Sequence, residues 1–207
     1  MSLSQRLRTW IAKLNKRTYA LGRSAFFEEK RDVRKAVTEI GVIADFLEAT
    51  GLALRVKPQS LHSLPQDSHD AQFAYLSGTI VGVEVVELVD PSWALPSTRK
   101  FNYKLWTETE YQEALQLLVD IKQKKIERRV ASRKIVSNYG DLWLLIHTGE
   151  PDLQFRKNLS CALDICLAPF DRVFVLGAAF PNPEGTGDIG TAWGEITSMK
   201  RSRSAVA

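Results

Sequence analysis

The 207-residue sequence contains few of the residues that commonly build metal, disulfide and nucleophile sites. Its two cysteines, Cys161 and Cys166, match no zinc-binding spacing, and such sparse cysteine usage predicts a reduced, cytoplasmic protein. Three histidines are too few for a metal cluster built from imidazoles. A glycine-rich phosphate loop and a nucleophile elbow are also missing, which argues against P-loop nucleotide hydrolases and against hydrolases with a serine elbow.

The sequence also lacks long apolar runs and lacks acidic residues at both ends. No apolar run approaches 18 residues, so we expect no transmembrane segment. The first 24 residues contain six basic residues and the last ten contain three, with no acidic residue in either stretch. Removing these nine from the 28 basic residues leaves 19 against 24 acidic ones, a balance of −5 for the body. The body is therefore not a general surface for coating nucleic acid.

A hydrophobic content of 44% is enough for one globular domain, which we expect over residues 24–197. Residues 1–23 predict a basic amphipathic helix, because apolar residues recur there at helical spacing. This helix could dock on the body or on a second subunit, contact a phosphate backbone, or lie on an anionic membrane, the last not being favoured. Its composition is also that of an organelle transit peptide. Residues 198–207 predict a basic disordered tail.

The order of periodic segments predicts an α/β sandwich of three layers, with a central mixed sheet flanked by helices. A capping box formed by Thr107 and Glu110 predicts the start of the second long helix. An exposed loop over 91–106, of the kind that often contacts a substrate, precedes it. The predicted elements are a helix over 24–50, a strand over 52–57, a hairpin over 70–90, the helix from Thr107, a strand over 139–147, a helix over 159–168 capped by Asn158, a strand over 172–180, and an edge strand or irregular segment over 191–197.

The most apolar strand of the sequence contains a carboxylate. β-branched residues dominate the run from Ile80 to Val89 with hardly any alternation, which is typical of a strand covered on both faces. Glu84 lies in the middle of this run. Burying its carboxylate is costly unless a cation, a metal or hydrogen-bond donors compensate the charge. Glu84 is therefore the first candidate site residue.

The turn of the hairpin decides what faces Glu84. A three-residue loop, ending with Gly78 in a left-handed conformation, places Asp70 directly opposite Glu84. Both carboxylates then point to one face and could share a metal ion. A two-residue loop would instead place Asp70 opposite Val85, on the other face from Glu84. Asp70 could also be a loop-end residue that only caps a turn.

The inward face of the second long helix becomes basic halfway along. Continuing its apolar stripe gives Lys122, Lys125 and Arg129 on the inside, and leaves Lys124 and Arg128 outside. These residues could form a solvated face whose long side chains cover the body. They could also place Lys125 or Lys122 at a site beside the predicted carboxylates. In the simplest alternative, Glu84 forms a buried ion pair with one of the three inward cations and serves no chemistry.

These residues and the order of elements resemble the PD-(D/E)XK nuclease superfamily, whose members share the restriction-endonuclease-like fold. In that family an Asp opens the second core strand and an acidic residue lies midway along the third, and Asp70 and Glu84 match these positions. The segments 82–88 and 142–146 look like those of bacterial members. The resemblance covers about residues 30–180. It departs from the family pattern at Val86, where a Lys is usual, and at His69, where the motif has Pro.

The resemblance implies a metal-dependent nuclease, with DNA favoured over RNA as its substrate. Asp70 and Glu84 would hold Mg²⁺ or Mn²⁺, together with Glu39, which lies on a flank of the first helix and is otherwise a solvated residue. The metal would activate a water molecule. Some family members supply the missing Lys from the following helix, so Lys125 or Lys122 would orient that water or neutralise the phosphate.

Two other functions remain open at this point. Val86 stands where the family usually has a Lys. This favours a catalytically inactive nuclease-fold protein that binds nucleic acid or a protein partner. The basic first 20 residues favour an interaction protein that works through a membrane or a partner. A homodimer is compatible with each of the three functions.

Overall fold

The computed structural model describes residues 31–64, 69–89, 105–132, 139–154, 158–177 and 192–199. The predicted N-terminal helix at 1–23, most of the predicted loop at 91–106 and most of the predicted tail at 198–207 lie outside these ranges. The helices are α1 (Arg31–Ala49), α2 (Glu108–Ala131) and α3 (Pro151–Gln154). The strands are β1 (His62–Ser63), β2 (Ala71–Ala74), β3 (Ile80–Leu88), β4 (Asp141–Thr148), β5 (Cys161–Leu163), β6 (Arg172–Gly177) and β7 (Trp193–Ser198).

The strands form a mixed sheet in the order β1-β2-β3-β4-β6-β7-β5. β1 pairs antiparallel with β2, and β2 pairs antiparallel with β3, whereas β4 and β6 pair in parallel. β7 runs antiparallel to β6 and parallel to β5. The predicted α/β class and mixed sheet are therefore confirmed. Of the helices in the described part, none is long and apolar enough to span a bilayer.

The chain divides into two compact units, Met1–Val83 with Ile135–Asp141 and Glu84–Lys134 with Leu142–Ala207. The first unit contains α1, β2 and the first residues of β3, up to Val83. Tyr75 N donates to Thr79 O at 2.9 Å, and Gly78 has a φ of 98°. Ala71 pairs with Val83, which is the register of the three-residue loop and excludes the two-residue loop. Asp70 lies just before β2, and Glu84 belongs to the second unit. The pairing of Asp70 with Glu84 therefore stays a prediction.

The predicted strand over 52–57 is wrong. α1 ends before Gly51, whose φ of 70° is left-handed, and Leu52–Arg55 form a 3₁₀ helix. Val56 alone continues the sheet, through a bridge to Tyr75. The buried residues in this stretch are Ala53 and Val56, three positions apart, which suits the three residues per turn of a 3₁₀ helix rather than the alternation of a strand.

The second unit is built on α2, whose predicted start is confirmed. Glu110 N donates to Thr107 Oγ1 at 3.2 Å, and Thr107 N donates to Glu110 Oε2 at 3.0 Å, which completes the capping box. The inward stripe is buried at Tyr111, Leu115 and Ile126. Fixing both the start and the inward face of α2 determines which of its basic side chains can point into the protein.

The predicted helix over 159–168 is also wrong, because this stretch contains β5. Asn158 Oδ1 accepts from Ser160 N at 2.9 Å, as a helix cap would, but the chain continues as a strand. Tyr111 OH donates to Leu159 O at 2.8 Å and so attaches this segment to α2. β5 pairs with β7, so β7 lies between β6 and β5 in the sheet. Residues 191–197 were expected to be an edge strand or irregular, and neither expectation is correct for β7.

Candidate functional site

The second unit contains a fully buried carboxylate with three cationic partners. Glu84 lies in β3 among buried valines, and its side chain has an exposed fraction of 0%. Lys122 Nζ and Lys125 Nζ each lie 2.8 Å from Glu84 Oε2. Arg129 Nη1 lies 3.0 Å from Glu84 Oε1. We call these four residues the Glu84 cluster.

The helical period of α2 brings the three cations to one carboxylate. Lys122, Lys125 and Arg129 are spaced by three and four residues, which places them on one face of a helix. Their side chains are exposed by 9%, 30% and 17%, respectively. Lys124 and Arg128 are exposed on the outer side of α2. The sequence prediction of which basic residues point inward is therefore confirmed.

The Glu84 cluster contains more positive than negative charge. When all four side chains are ionised, three cations face one carboxylate, and the four groups together carry +2. Lys122 Nζ also donates to Val85 O at 2.7 Å. Charge-assisted bonds of this length compensate the desolvation of a buried carboxylate. The predicted buried ion pair is thus present, and it involves all three of the predicted partners.

The contacts in the Glu84 cluster do not fit a bound Mg²⁺ or Mn²⁺. Carboxylate oxygens are suitable ligands for these ions, but both oxygens of Glu84 already accept hydrogen bonds from cations. A divalent cation at that carboxylate would be repelled by three positive charges within a few ångströms. In the described ranges, no group of three or more His, Cys, Asp or Glu side chains is arranged to hold a metal. We therefore derive no metal chemistry from this cluster.

The other two predicted metal ligands, Glu39 and Asp70, lie in the first unit. Both are buried, so Glu39 is not the solvated flank residue of the simpler interpretation. His69, next to Asp70, is buried with its ring edge-on to Tyr139 at 4.5 Å between centroids. A fourth buried acid, Glu150, belongs to the second unit and was not a predicted site residue; its Oε2 accepts from Trp106 Nε1 at 3.4 Å. That Glu39 and Asp70 act together with Glu84 stays a prediction.

Two further titratable groups of the second unit have shifted pKa values. Burial, with the nearby charge of Glu108, raises the pKa of the Cys161 thiol to about 11. A thiol with this pKa is almost entirely protonated at neutral pH and is a poor nucleophile. Burial lowers the pKa of His147, and Glu87 partly opposes this shift. Neither residue was a predicted site residue, and neither contacts the Glu84 cluster through a described hydrogen bond.

Comparison of the chain with family models, with curated proteins and with solved structures gave no match. The resemblance to the PD-(D/E)XK superfamily therefore rests on the residues named above.

Proposed function

We propose that this protein binds the phosphate backbone of nucleic acid through the C-terminal half of α2, on a restriction-endonuclease-like scaffold without catalysis at the Glu84 cluster. The observation that supports the proposal is the convergence of Lys122, Lys125 and Arg129 on the single carboxylate of Glu84. Three cationic side chains on one carboxylate favour an anion over a divalent cation as the bound ligand. Nucleic-acid phosphates are the anions that such basic helices commonly bind.

The exposed residues of the same helix extend the basic surface. Between Ile121 and Ser132, α2 contains five basic residues and one acidic residue, Glu127. Lys124 and Arg128 are exposed one turn apart, next to the partly exposed Lys125. The helix dipole favours cations only in the last turn, so it can explain Arg128 but not the lysines before it.

Metal-dependent hydrolysis of phosphodiesters is a second candidate function. It is favoured by the contacts of Lys122 and Lys125 with Glu84, because α2 would thereby supply the lysine that the family has two positions after the acid, where this sequence has Val86. Glu39 and Asp70, both buried carboxylates, are the further acids that this function would require. The same assay series distinguishes the two candidates.

The binding proposal is tested by fluorescence anisotropy with a labelled short duplex and a labelled single strand, from about 50 to about 200 mM NaCl. We expect binding that weakens steeply with salt and weakens further when Lys124 and Arg128 are both replaced by Gln. The matched control replaces Arg55 and Lys57, two exposed cations of the first unit, by Gln. Absence of binding at the lowest salt, or an equal loss in the control, would overturn the proposal.

The catalytic candidate is tested by incubating plasmid and single-stranded DNA and RNA with MgCl₂, with MnCl₂ or with a chelator. Cleavage that requires the metal and is lost in Glu84→Gln and Asp70→Asn would establish hydrolysis and displace the non-catalytic proposal. Intact substrate under all of these conditions, with binding retained, would eliminate the nuclease and leave the binding protein. Folding of each variant is checked by circular dichroism.

A further inference from the structure

We infer that the outer face of α2 binds the same face of a second copy of this chain, as an antiparallel helix pair related by a two-fold axis. The outer face is the side of α2 that carries Glu113, Leu117, Ile121, Lys124 and Arg128. The inference goes beyond the proposed function, and only its consequence for nucleic-acid binding rests on that proposal.

Two large apolar side chains are exposed side by side on this face. Leu117 is exposed by 59% and Ile121 by 51%, and they lie one helical turn apart. Glu113, Lys124 and Arg128 are exposed as well, and spacings of four, four, three and four residues place all five side chains on one face of the helix. Single exposed leucines are ordinary, whereas an apolar pair rimmed by charged residues favours an interaction surface.

The charges of α2 change sign at this apolar pair. From Glu108 to Asp120 the helix contains four acidic residues and no basic one, and from Ile121 onwards it contains five basic residues and one acidic one. The helix dipole favours this order only within the first and last turns, and both Glu113 and Lys124 lie outside them. A second copy that runs antiparallel places the acidic half of each helix against the basic half of the other.

One register of this pair brings the apolar residues together. With the two-fold axis at the midpoint of Leu117 and Ile121, Leu117 of one copy faces Ile121 of the other, and symmetry repeats the contact. Glu113 lies about 9 Å before this midpoint along the helix axis, and Lys124 lies about 7.5 Å after it. Glu113 of each copy therefore comes opposite Lys124 of the other. A parallel pair would instead place like charges together.

The helix pair also has a consequence for the proposed function. Lys124 and Arg128 are the exposed cations assigned to nucleic-acid phosphates, and in the antiparallel pair they lie over the acidic half of the second copy. Self-association and phosphate binding therefore compete for the same side chains. The dimer is the form in which this basic surface is covered, and the monomer is the form that binds nucleic acid.

Sedimentation equilibrium of the full chain at low salt measures the dissociation constant of the dimer. We expect Leu117→Gln and Ile121→Gln each to raise this constant about tenfold or more, because each residue occurs twice at a two-fold interface. Leu54→Gln, at a leucine of the first unit that is 78% exposed, is the matched control and should leave the constant unchanged. A wild type that stays monomeric up to about 1 mM, or an equal change in the control, rules out the interface.

Charge exchange tests the antiparallel direction. Glu113→Lys and Lys124→Glu should each weaken self-association, because each places like charges at both contacts of the pair. Mixing the two variants should restore a dimer with one copy of each, since opposite charges then meet at both contacts, and sedimentation velocity of the mixture detects it. Circular dichroism checks that both variants fold. A mixture that associates no more tightly than either variant alone shows that the antiparallel pairing is wrong.

The duplex assay separates this inference from the proposed function. Leu117→Gln changes no charge, and it should bind the labelled duplex about threefold to tenfold more tightly than the wild type does at concentrations where the wild type is mostly dimeric. Equal affinities there overturn the competition for Lys124. If the dimer forms and no duplex binds, the interface stands and the nucleic-acid function is wrong. If the duplex binds and the wild type is a monomer, the interface is wrong and the function stands.

Discussion

The ammonium group of Lys122 binds two neighbouring residues of β3, the carboxylate of Glu84 at 2.8 Å and the carbonyl of Val85 at 2.7 Å. This contact fixes the helix and the strand at the point where the most deeply buried charge of the second unit lies. Removing one partner of a buried ion pair leaves the other charge uncompensated, and the cost is then larger than the net stabilisation by the pair.

We expect Glu84→Gln to lower the free energy of unfolding by about 3 kcal/mol, because Gln keeps the shape but leaves the buried Lys122 without a counter-charge. Lys125 and Arg129 are more exposed than Lys122, so the loss of the counter-charge costs less at these two residues. Combining Glu84→Gln with Lys122→Met should cost less than the sum of the two single changes, with a coupling of about 2 kcal/mol. Urea unfolding measures all four proteins, and Lys124→Met, at an exposed position, is the control. Additive effects would show that the contact contributes no coupling.

The loop of the hairpin gives a second prediction. Gly78 has a φ of 98°, and a residue with a Cβ is strained in that conformation. Gly78→Ala should therefore destabilise the protein by about 1–3 kcal/mol, whereas Ser77→Ala, at the exposed position before it, should have little effect. Thermal unfolding of the two variants makes the comparison. Equal stabilities would contradict the left-handed conformation on which the three-residue loop depends.

Local signals predicted the hairpin register and the inward face of α2. Gly78 permits the left-handed turn, and the chain then has only one register with that loop length. The positions of Lys122 and Lys125 follow from the helical period once Thr107 fixes where α2 begins. These predictions depend on residues that are close in sequence, which explains why they could be made without a structure.

The two incorrect elements depend on distant contacts. Residues 161–163 become a strand because they pair with 196–198, more than 30 positions away, and Asn158 carries the same signal for a turn as for a helix start. The apolar stretch 52–57 is too short for its period to separate a strand from a 3₁₀ turn. The sequence placed cations beside Glu84 but left open whether a metal or an ion pair compensates it. That difference depends on distances of about 3 Å between elements, which no periodicity specifies.

A third prediction concerns the close approach of β7 to the segment before β5. A Cβ added at Gly194 would overlap backbone atoms of Leu159 and Ser160, which cannot move aside as a flexible side chain could. Gly194→Ala should therefore cost about 3 kcal/mol or more, at the upper end of point-mutant effects. In contrast, Gly41→Ala in α1 meets nothing within 4 Å and should stabilise the helix by about 0.5–1 kcal/mol. Chemical denaturation of both variants tests the pair, and a tolerated Gly194→Ala would contradict the close approach of β7 to the segment before β5.

The shifted pKa of His147 predicts how stability depends on pH. Burial lowers this pKa below its ordinary value of 6.5, so in mildly acidic solution the unfolded chain binds a proton that the folded protein does not. The stability contributed by neutral His147 is fully present above about pH 6.5 and is lost as the pH falls from there towards the folded pKa. His147→Gln should therefore lose less stability than the wild type between about pH 7.5 and about pH 5.5.

Glu87 supplies a matched variant with the opposite effect, because its charge raises the pKa of His147 and so partly opposes burial. In Glu87→Gln the folded pKa of His147 falls further, the gap to the unfolded value widens, and the loss of stability on acidification should grow. Urea unfolding of the wild type and the two variants at both pH values gives, for each protein, the free energy of unfolding that is lost on acidification. If all three proteins lose the same stability, His147 does not titrate with a lowered pKa in the folded protein. The ranking His147→Gln, wild type, Glu87→Gln, from the smallest loss to the largest, is the result that assigns the acid sensitivity to this histidine.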